Sequence, residues 1–281
     1  MQVIDTHCHV VSPDKTKYPL APIGGTQSDW SSERPTTPEQ MIAAMEAAGV
    51  DKSVLVQAST AYGHDSSYCA EAVAAHPDRF TGVFSIDPLE SDAVKKAEHW
   101  LSRGMTGMRV FTTGSTMPGQ QTWLDDERAF PTWELAGKKR IPIAVQMTAQ
   151  GIPLLTKIVE RFPETFFLLD HLGRPVINDG PPYAAAASLF GLARYPSIYL
   201  KITSRTAEHS QSGKATPETF FPLLVKTFGS DRLMWGSNFP AAEGTLSSLL
   251  AASRKVLASL PAKDQENILS GTAKRIYPAL A

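Results

Sequence analysis

The feature that most constrains this chain is an alternation running its whole length. Short apolar runs rich in β-branched and aromatic residues are each followed by a stretch of helical spacing. The runs begin at Val3-Ile4 and continue as Ser53–Gln57, Phe80–Ile86, Gly107–Phe111, Ile141–Met147, Thr165–Leu169, Ile198–Thr203 and Leu233–Gly236. After the first run, Thr37 is placed to cap a helix, with Pro38 at its first position, Gln40 reaching back and Gly49 at its end. Further helical stretches cover Ser66–His76, Ser91–Arg103, Asp126–Lys138, Ile152–Arg161, Tyr183–Arg194, Thr216 to Phe228 and Thr245–Leu260, with a last one over Asp264–Tyr277. Strands separated by helical crossovers imply a parallel sheet. Eight such units close a (β/α)8 (TIM) barrel, and 281 residues suit one. An open doubly wound sheet is the alternative, yet no strand is followed by a GxGxxG or GxxxxGK[ST] phosphate loop. The expected fold is α/β, a single TIM-barrel domain over residues 1–281 with long loops after strands one and four.

Composition narrows the partners. Formal net charge is −1, with no basic block or basic–aromatic stripe, so nucleic acid is not an expected partner. A membrane is not expected either, because no run of about 18 apolar residues is present. The segment after Met1 turns polar within a few positions and lacks the features of a secretory signal. Cys8 and Cys69 make no disulfide framework, and a reducing cytoplasm is the expected compartment.

In such a barrel the C-terminal ends of the strands carry the chemistry. The first strand delivers His7 and His9, two positions apart and so on one side. They can serve as a metal-binding pair or as an ordinary exposed one. Cys8 between them turns away and reads as a small buried residue. The second strand delivers Gln57, the fourth Arg109, the fifth Gln146 and Thr148. The sixth gives His171, with Arg174 three residues on; the seventh gives Lys201, with Arg205 in its loop; the eighth gives Asn238. The irregular Val10 to Thr36 stretch leaves directly from the histidine pair and reads as a flap, and Thr112 to Leu124 is a second long loop. Trp30 and Trp123 lie in these loops, either lining the pocket or pinning the loop. Tyr62, His64 and His209 fall in loops on the same rim, whereas His76 and His99 fall on outer helices. As a set, Arg109, Arg174, Lys201 and Arg205 point to a small anionic substrate, since guanidinium forks match carboxylates. The competing reading pairs them with acidic neighbours such as Asp170, and puts Lys201 inside the barrel.

Four motifs in order resemble the amidohydrolase superfamily, in its branch of lactonases and nonoxidative decarboxylases. They are Asp5-Thr6-His7-Cys8-His9, Gly107-Met108-Arg109, Asp170-His171-Leu172-Gly173-Arg174-Pro175 and Trp235-Gly236-Ser237-Asn238-Phe239-Pro240, followed by the closing stretch Asn267–Tyr277. The nearest group by pattern holds pyrone-dicarboxylate, sugar-lactone and muconolactone hydrolases. The resemblance implies that His7, His9 and His171 hold one divalent metal such as zinc. At the position of Asn238 it implies an aspartate that takes the proton of a water. Gln146 stands where binuclear relatives carry a bridging residue, which argues against a second metal. The asparagine is the departure, because a neutral amide is a weak ligand and no base. Three accounts are open: a metal-free site, one metal on three imidazoles with another base, or an introduced substitution that silences the site.

On this resemblance the expected function is hydrolysis of a small, carboxylated lactone. His7, His9, His171 and Asn238 would be catalytic, and Arg109, Arg174, Gln146, Arg205, Lys201 and Tyr62 would bind substrate. A nonoxidative decarboxylase of an aromatic or muconate-type acid, a lactone isomerase and a non-catalytic binding protein are the alternatives.

Overall fold

The computed structural model describes residues 1–114, 116, 120 and 122–281, so the expected Thr112–Leu124 loop lies partly outside the described residues. Eight strands form one sheet: β1 Ile4–Cys8, β2 Lys52–Val56, β3 Phe80–Ser85, β4 Gly107–Phe111, β5 Ile143–Gln146, β6 Phe167–Leu169, β7 Ile198–Ile202 and β8 Leu233–Trp235. They pair in parallel in sequence order. The sheet comes round on itself just beyond β8. There Cys8 bridges Phe239, Asn238 N–H donates to His7 O at 2.7 Å, and His9 N–H donates to Phe239 O at 2.9 Å.

Two local features make this seam possible. A Cβ at Gly236 would stand 2.5 Å from His7 Cβ, so only glycine lets the chain after β8 approach β1 so closely. The buried Asp5 carboxylate then accepts hydrogen bonds from Ser237 N–H, Ser237 Oγ and His7 N–H, tying the two strands together. β1 also carries a bulge, its register against β2 shifting between Asp5 and Cys8, which re-aims the side chains beside the site.

Around the sheet run α1 Asp29–Glu33, α2 Pro38–Ala48, α3 Ser59–Tyr62, α4 Ser67–Ala75, α5 Ala93–Ser102, α6 Phe130–Lys139, α7 Ile152–Arg161, α8 Ala187–Gly191, α9 Ser204–His209, α10 Pro217–Phe228, α11 Leu246–Leu257, α12 Ala262–Glu266 and α13 Thr272–Ile276. The start of α2 has the reciprocal cap read from sequence: Gln40 N–H donates to Thr37 Oγ1 and Thr37 N–H to Gln40 Oε1, with Gly49 left-handed at φ 72°. No helix of the described residues is long and apolar enough to cross a membrane.

Strand alternation builds two apolar layers and a polar one. Outward residues such as Leu55, Phe84, Val145 and Leu200 pack under the helices with Met41, Trp133, Leu155 and Phe220. Inward residues Ile4, Val54, Val83, Ala144, Leu168 and Met234 fill the lower barrel, and the chain's end covers that floor with Ile276, Tyr277 and Leu280. Two residues further along the same strands, the inward positions are polar: Ser85 after Val83, Gln146 after Ala144, Asp170 after Leu168. An apolar floor therefore supports a polar mouth.

Some expectations are corrected. The Tyr183–Arg194 stretch is not one helix. Tyr183 is left-handed at φ 60°, and a 3-10 turn, the short α8 and another 3-10 turn follow. The closing helix does run on from Ala262 to Ile276, but through a π segment, Asn267–Gly271, that buries Ile268 and Leu269. The Val10–Thr36 stretch contains α1, and Arg34 fastens it to the chain after β8 by donating from Nε to Pro240 O at 3.0 Å.

Candidate active site

Asp170 organises the polar mouth. It is fully buried at the end of β6, and three basic side chains close on it. Arg109 Nε donates to Oδ2 at 2.9 Å, Lys201 Nζ lies 3.3 Å from Oδ1, and His7 Nδ1 lies 3.3 Å from the same oxygen. Burial alone would raise the Asp170 pKa, but Lys201, His7 and Arg109 outweigh it and hold the carboxyl well below its ordinary range. The acid is therefore an anion that fixes the direction of Arg109.

Above it opens a cavity of about 260 Å³ on the C-terminal face. Of the residues expected from sequence, His9, Arg109, Gln146, His171, Arg174 and Asn238 line it. His7 lies just beneath, its ring 5.0 Å from that of His9 and 5.1 Å from that of His171. The loops contribute Trp30, tilted over His9 at 5.2 Å, and Phe111.

The imidazoles are held in defined orientations. His9 Nδ1 meets Val56 O at 2.7 Å. A carbonyl only accepts, so His9 carries its proton on Nδ1 and presents a lone pair at Nε2. His171 Nδ1 meets Thr203 Oγ1 at 2.7 Å. Burial, reinforced by Arg109, lowers the His9 pKa to about 4. Burial also takes His171 down to about 3, with Asp170 opposing and Arg109 assisting. Both rings are neutral at pH 7. The backbone here is unusual, since His171, Leu172, Arg174 and Asn238 all have φ between 53° and 61°, a region that costs non-glycine residues energy. Asparagine tolerates it better than most residues, a backbone reason for an amide at position 238.

Three of the expected substrate-binding residues stand elsewhere. Lys201 is 0% exposed beneath the cavity, where its ammonium balances Asp170. The Tyr62 hydroxyl accepts from Ser12 N–H at 2.8 Å and packs with Val11 and Ala61 behind the site. Arg205 lines an outer groove with His209, which Arg174 joins to the cavity. His64 lines a neighbouring cavity. From sequence Asp170 is an ion partner for the arginines, and nothing there singles out Phe111. The signal for Asp170 was its place directly after the β6 run and before His171.

The fold family implies a metal, and the donor set can be tested for it. Pinning Nδ1 of His9 and His171 is what metal-ligating histidines need. The charges around them are mixed: the Asp170 carboxylate lies 3.3 Å from His7, but cations stand closer to the cavity. Arg109 Nη2 stands 3.5 Å from His7 Nε2, and Arg109, Lys201 and Arg174 surround the rings while Asn238 supplies no carboxylate. Among the described residues no group of three or more His, Cys, Asp or Glu is arranged to hold a metal ion. The donors that meet at the cavity are thus three neutral imidazoles, with guanidiniums rather than a carboxylate on the cavity wall beside them.

A (β/α)8 barrel with histidines at strands one and six and an arginine at strand four defines a class of barrel enzymes. The chain belongs to the amidohydrolase family, whose model matches residues 4–279. It is 25% identical over 242 residues to a 4-sulfomuconolactone hydrolase of Rhizobium radiobacter, covering 84% of this chain and 75% of that one. It is 24% identical over 123 residues to an L-fucono-1,5-lactonase of Burkholderia ambifaria, a match spanning 43% of this chain and only 42% of the lactonase. Among solved structures, a probable 2-pyrone-4,6-dicarboxylic acid hydrolase from Acinetobacter baumannii with citric acid bound superposes with TM-score 0.79 at 17% identity, over 99% of this chain and 100% of that one. An amidohydrolase from Burkholderia multivorans with bound zinc gives 0.78 at 20% identity, over 99% of each chain.

Proposed function

We propose that this protein hydrolyses a small carboxylated lactone, and does so without a resident divalent metal. The observation that carries the reading is the convergence of neutral His9 and His171, the Asp170-anchored Arg109 and the rim residue Arg174 on one cavity. Arg174 Nε is buried and has no hydrogen-bond partner, and the like charges of Arg205 and Arg109 lie near it. A substrate carboxylate would satisfy that guanidinium. The sulfomuconolactone and fuconolactone hydrolases among the relatives support the ester chemistry.

In this scheme Arg174 holds the substrate's acid group and Trp30 and Phe111 flank the ring. His9 Nε2 takes a proton from water as its oxygen bonds to the lactone carbonyl carbon. Arg109, its charge fixed by Asp170, offsets the negative charge that develops on the carbonyl oxygen. The ring C–O bond then breaks, and the proton goes to the departing oxygen, leaving a hydroxy acid. The Asn238 amide lines the same cavity, where it can orient water but take no proton.

The test is a panel of pyrone, muconolactone and sugar lactones followed by acid release, on protein stripped with chelator and assayed for metal content. Turnover by metal-free protein is expected. Activity that appears only on adding zinc would overturn the metal-free scheme, and a lack of turnover across the panel would overturn the lactonase reading. Release of carbon dioxide without water uptake would point to a decarboxylase.

A further inference from the structure

A second cavity of about 230 Å³ stands beside the first. The two are built from the same segments. Phe111 lines both; the chain after β2 gives Ser59 and Thr60 to the first and His64 to the second; the chain after β4 gives Thr116 to the first and Trp123 to the second. Their chemistry differs sharply. The first holds Arg109 and Arg174, while among the described residues lining the second there is no lysine or arginine.

Most of the second cavity's wall is apolar, with Ile86, Leu89, Phe111 and Trp123, and Gln120, His64 and Asp87 are its polar members. The polar end of Trp123 is already used, its Nε1–H donating to Phe111 O at 2.8 Å, so the indole offers the cavity an apolar surface. His64 Nδ1 meets Ser85 Oγ at 2.8 Å, and burial lowers its pKa, leaving a neutral ring. The Asp87 carboxylate accepts from Leu89 N–H at 2.9 Å and makes this end hostile to an anion. Phe111 divides the two spaces, with the Arg109 guanidinium 4.8 Å from its ring centroid.

We propose that the second cavity is a subsite for an uncharged apolar or aryl arm of the substrate, so that the protein selects carboxylated lactones bearing such an arm away from the acid group. The assignment rests on the lactone reading of the first cavity, although occupancy of the subsite can be measured independently. Charge sets the orientation. The acid end is drawn to Arg174 and repelled by Asp87, and the arm is left to the apolar walls.

Two measurements test it. Benzyl alcohol titrated into isotopically labelled full-length protein should shift the Trp123 indole N–H and the His64 ring resonances saturably. Leu89→Trp, which fills the subsite, should weaken that binding at least tenfold. In kinetics, a carboxylated lactone with a benzyl arm should exceed its armless parent at least tenfold in kcat/KM, mainly through KM, and the ratio should fall toward one in Leu89→Trp. An unperturbed wild-type spectrum would overturn the subsite whether or not the variant folds. So would turnover indifferent to the arm, and in either case lactone hydrolysis would leave the catalytic reading standing. Benzyl alcohol binding in a protein that turns over no lactone would keep the subsite and remove the lactonase.

Discussion

At the scale of single residues, the site is organised by one acid and one unpaired base. Asp170 is the carboxylate that faces both Lys201, buried beneath the cavity, and Arg109, which lines it. Asp170→Asn would leave both cations buried without a counter-charge, a loss of about 3–5 kcal/mol by analogy with broken buried pairs. Urea unfolding should show it as a lowered midpoint, and an unchanged midpoint would mean that the cluster contributes little. Arg174 is the opposite case, a guanidinium whose buried Nε lacks a partner. Arg174→Lys keeps the charge and loses the fork. It should raise KM for carboxylated lactones about tenfold, roughly 1.4 kcal/mol, with kcat little altered. Equal loss in kcat would place Arg174 in the chemical step instead. The histidines and arginines of the site were legible in sequence because strand ends announce them. The pairing of Asp170 with Arg109, 61 positions away, is one of two readings the sequence leaves open, since it is decided only once the barrel closes.

At the scale of elements, the same division holds. The alternation predicted all eight strands, because apolar runs of strand length between helical stretches have few other uses. It failed over Tyr183–Arg194, where local backbone geometry rather than periodicity decides. It left Lys201 either facing substrate or inside the barrel, where the structure places it, and read Tyr62 as facing substrate, because a strand end or loop position does not say how deep a side chain lies. The β1–β8 seam joins these scales, since catalytic geometry there depends on a missing methyl group. A Cβ at Gly236 would meet His7 Cβ at 2.5 Å and His7 N at 3.0 Å, so backbone would have to shift. Gly236→Ala should cost about 1–3 kcal/mol from overpacking. Displacing His7, and His9 two residues on, by even about 1 Å could lower activity about 100-fold. Activity should therefore fall further than stability does. Comparing kcat/KM with the unfolding free energy checks this, and parallel losses would argue that the seam serves only the fold.

At the scale of the molecule, burying neutral imidazoles makes folding itself sensitive to pH. His9 is lowered from 6.5 to about 4 and His171 from 6.5 to about 3, burial being the main cause in each, and His7 is lowered as well. Between pH 6.5 and 4 the unfolded chain binds protons at these positions that the folded chain refuses. Their contribution is therefore fully present above pH 6.5 and is lost as pH falls toward the folded values. Each proton is worth roughly 1.4 kcal/mol per pH unit. Asp170 does not add to the slope in this window, because its folded pKa lies below the ordinary 3.8. Asp5, raised above 3.8 by burial, works with the opposite sign and flattens the curve at its acid end. Unfolding free energies from urea titrations across this range should fall with acidity by more than one proton's worth per unit. In His171→Asn the slope should drop by about one proton, roughly 1.4 kcal/mol per pH unit, even if the variant is weaker throughout. The slope separates the two effects: a packing defect lowers the whole curve, whereas loss of a buried neutral imidazole changes its steepness. A wild-type curve flat from pH 6.5 to 4 would show that the rings at the barrel mouth are not held uncharged, and the base assigned to His9 would go with it.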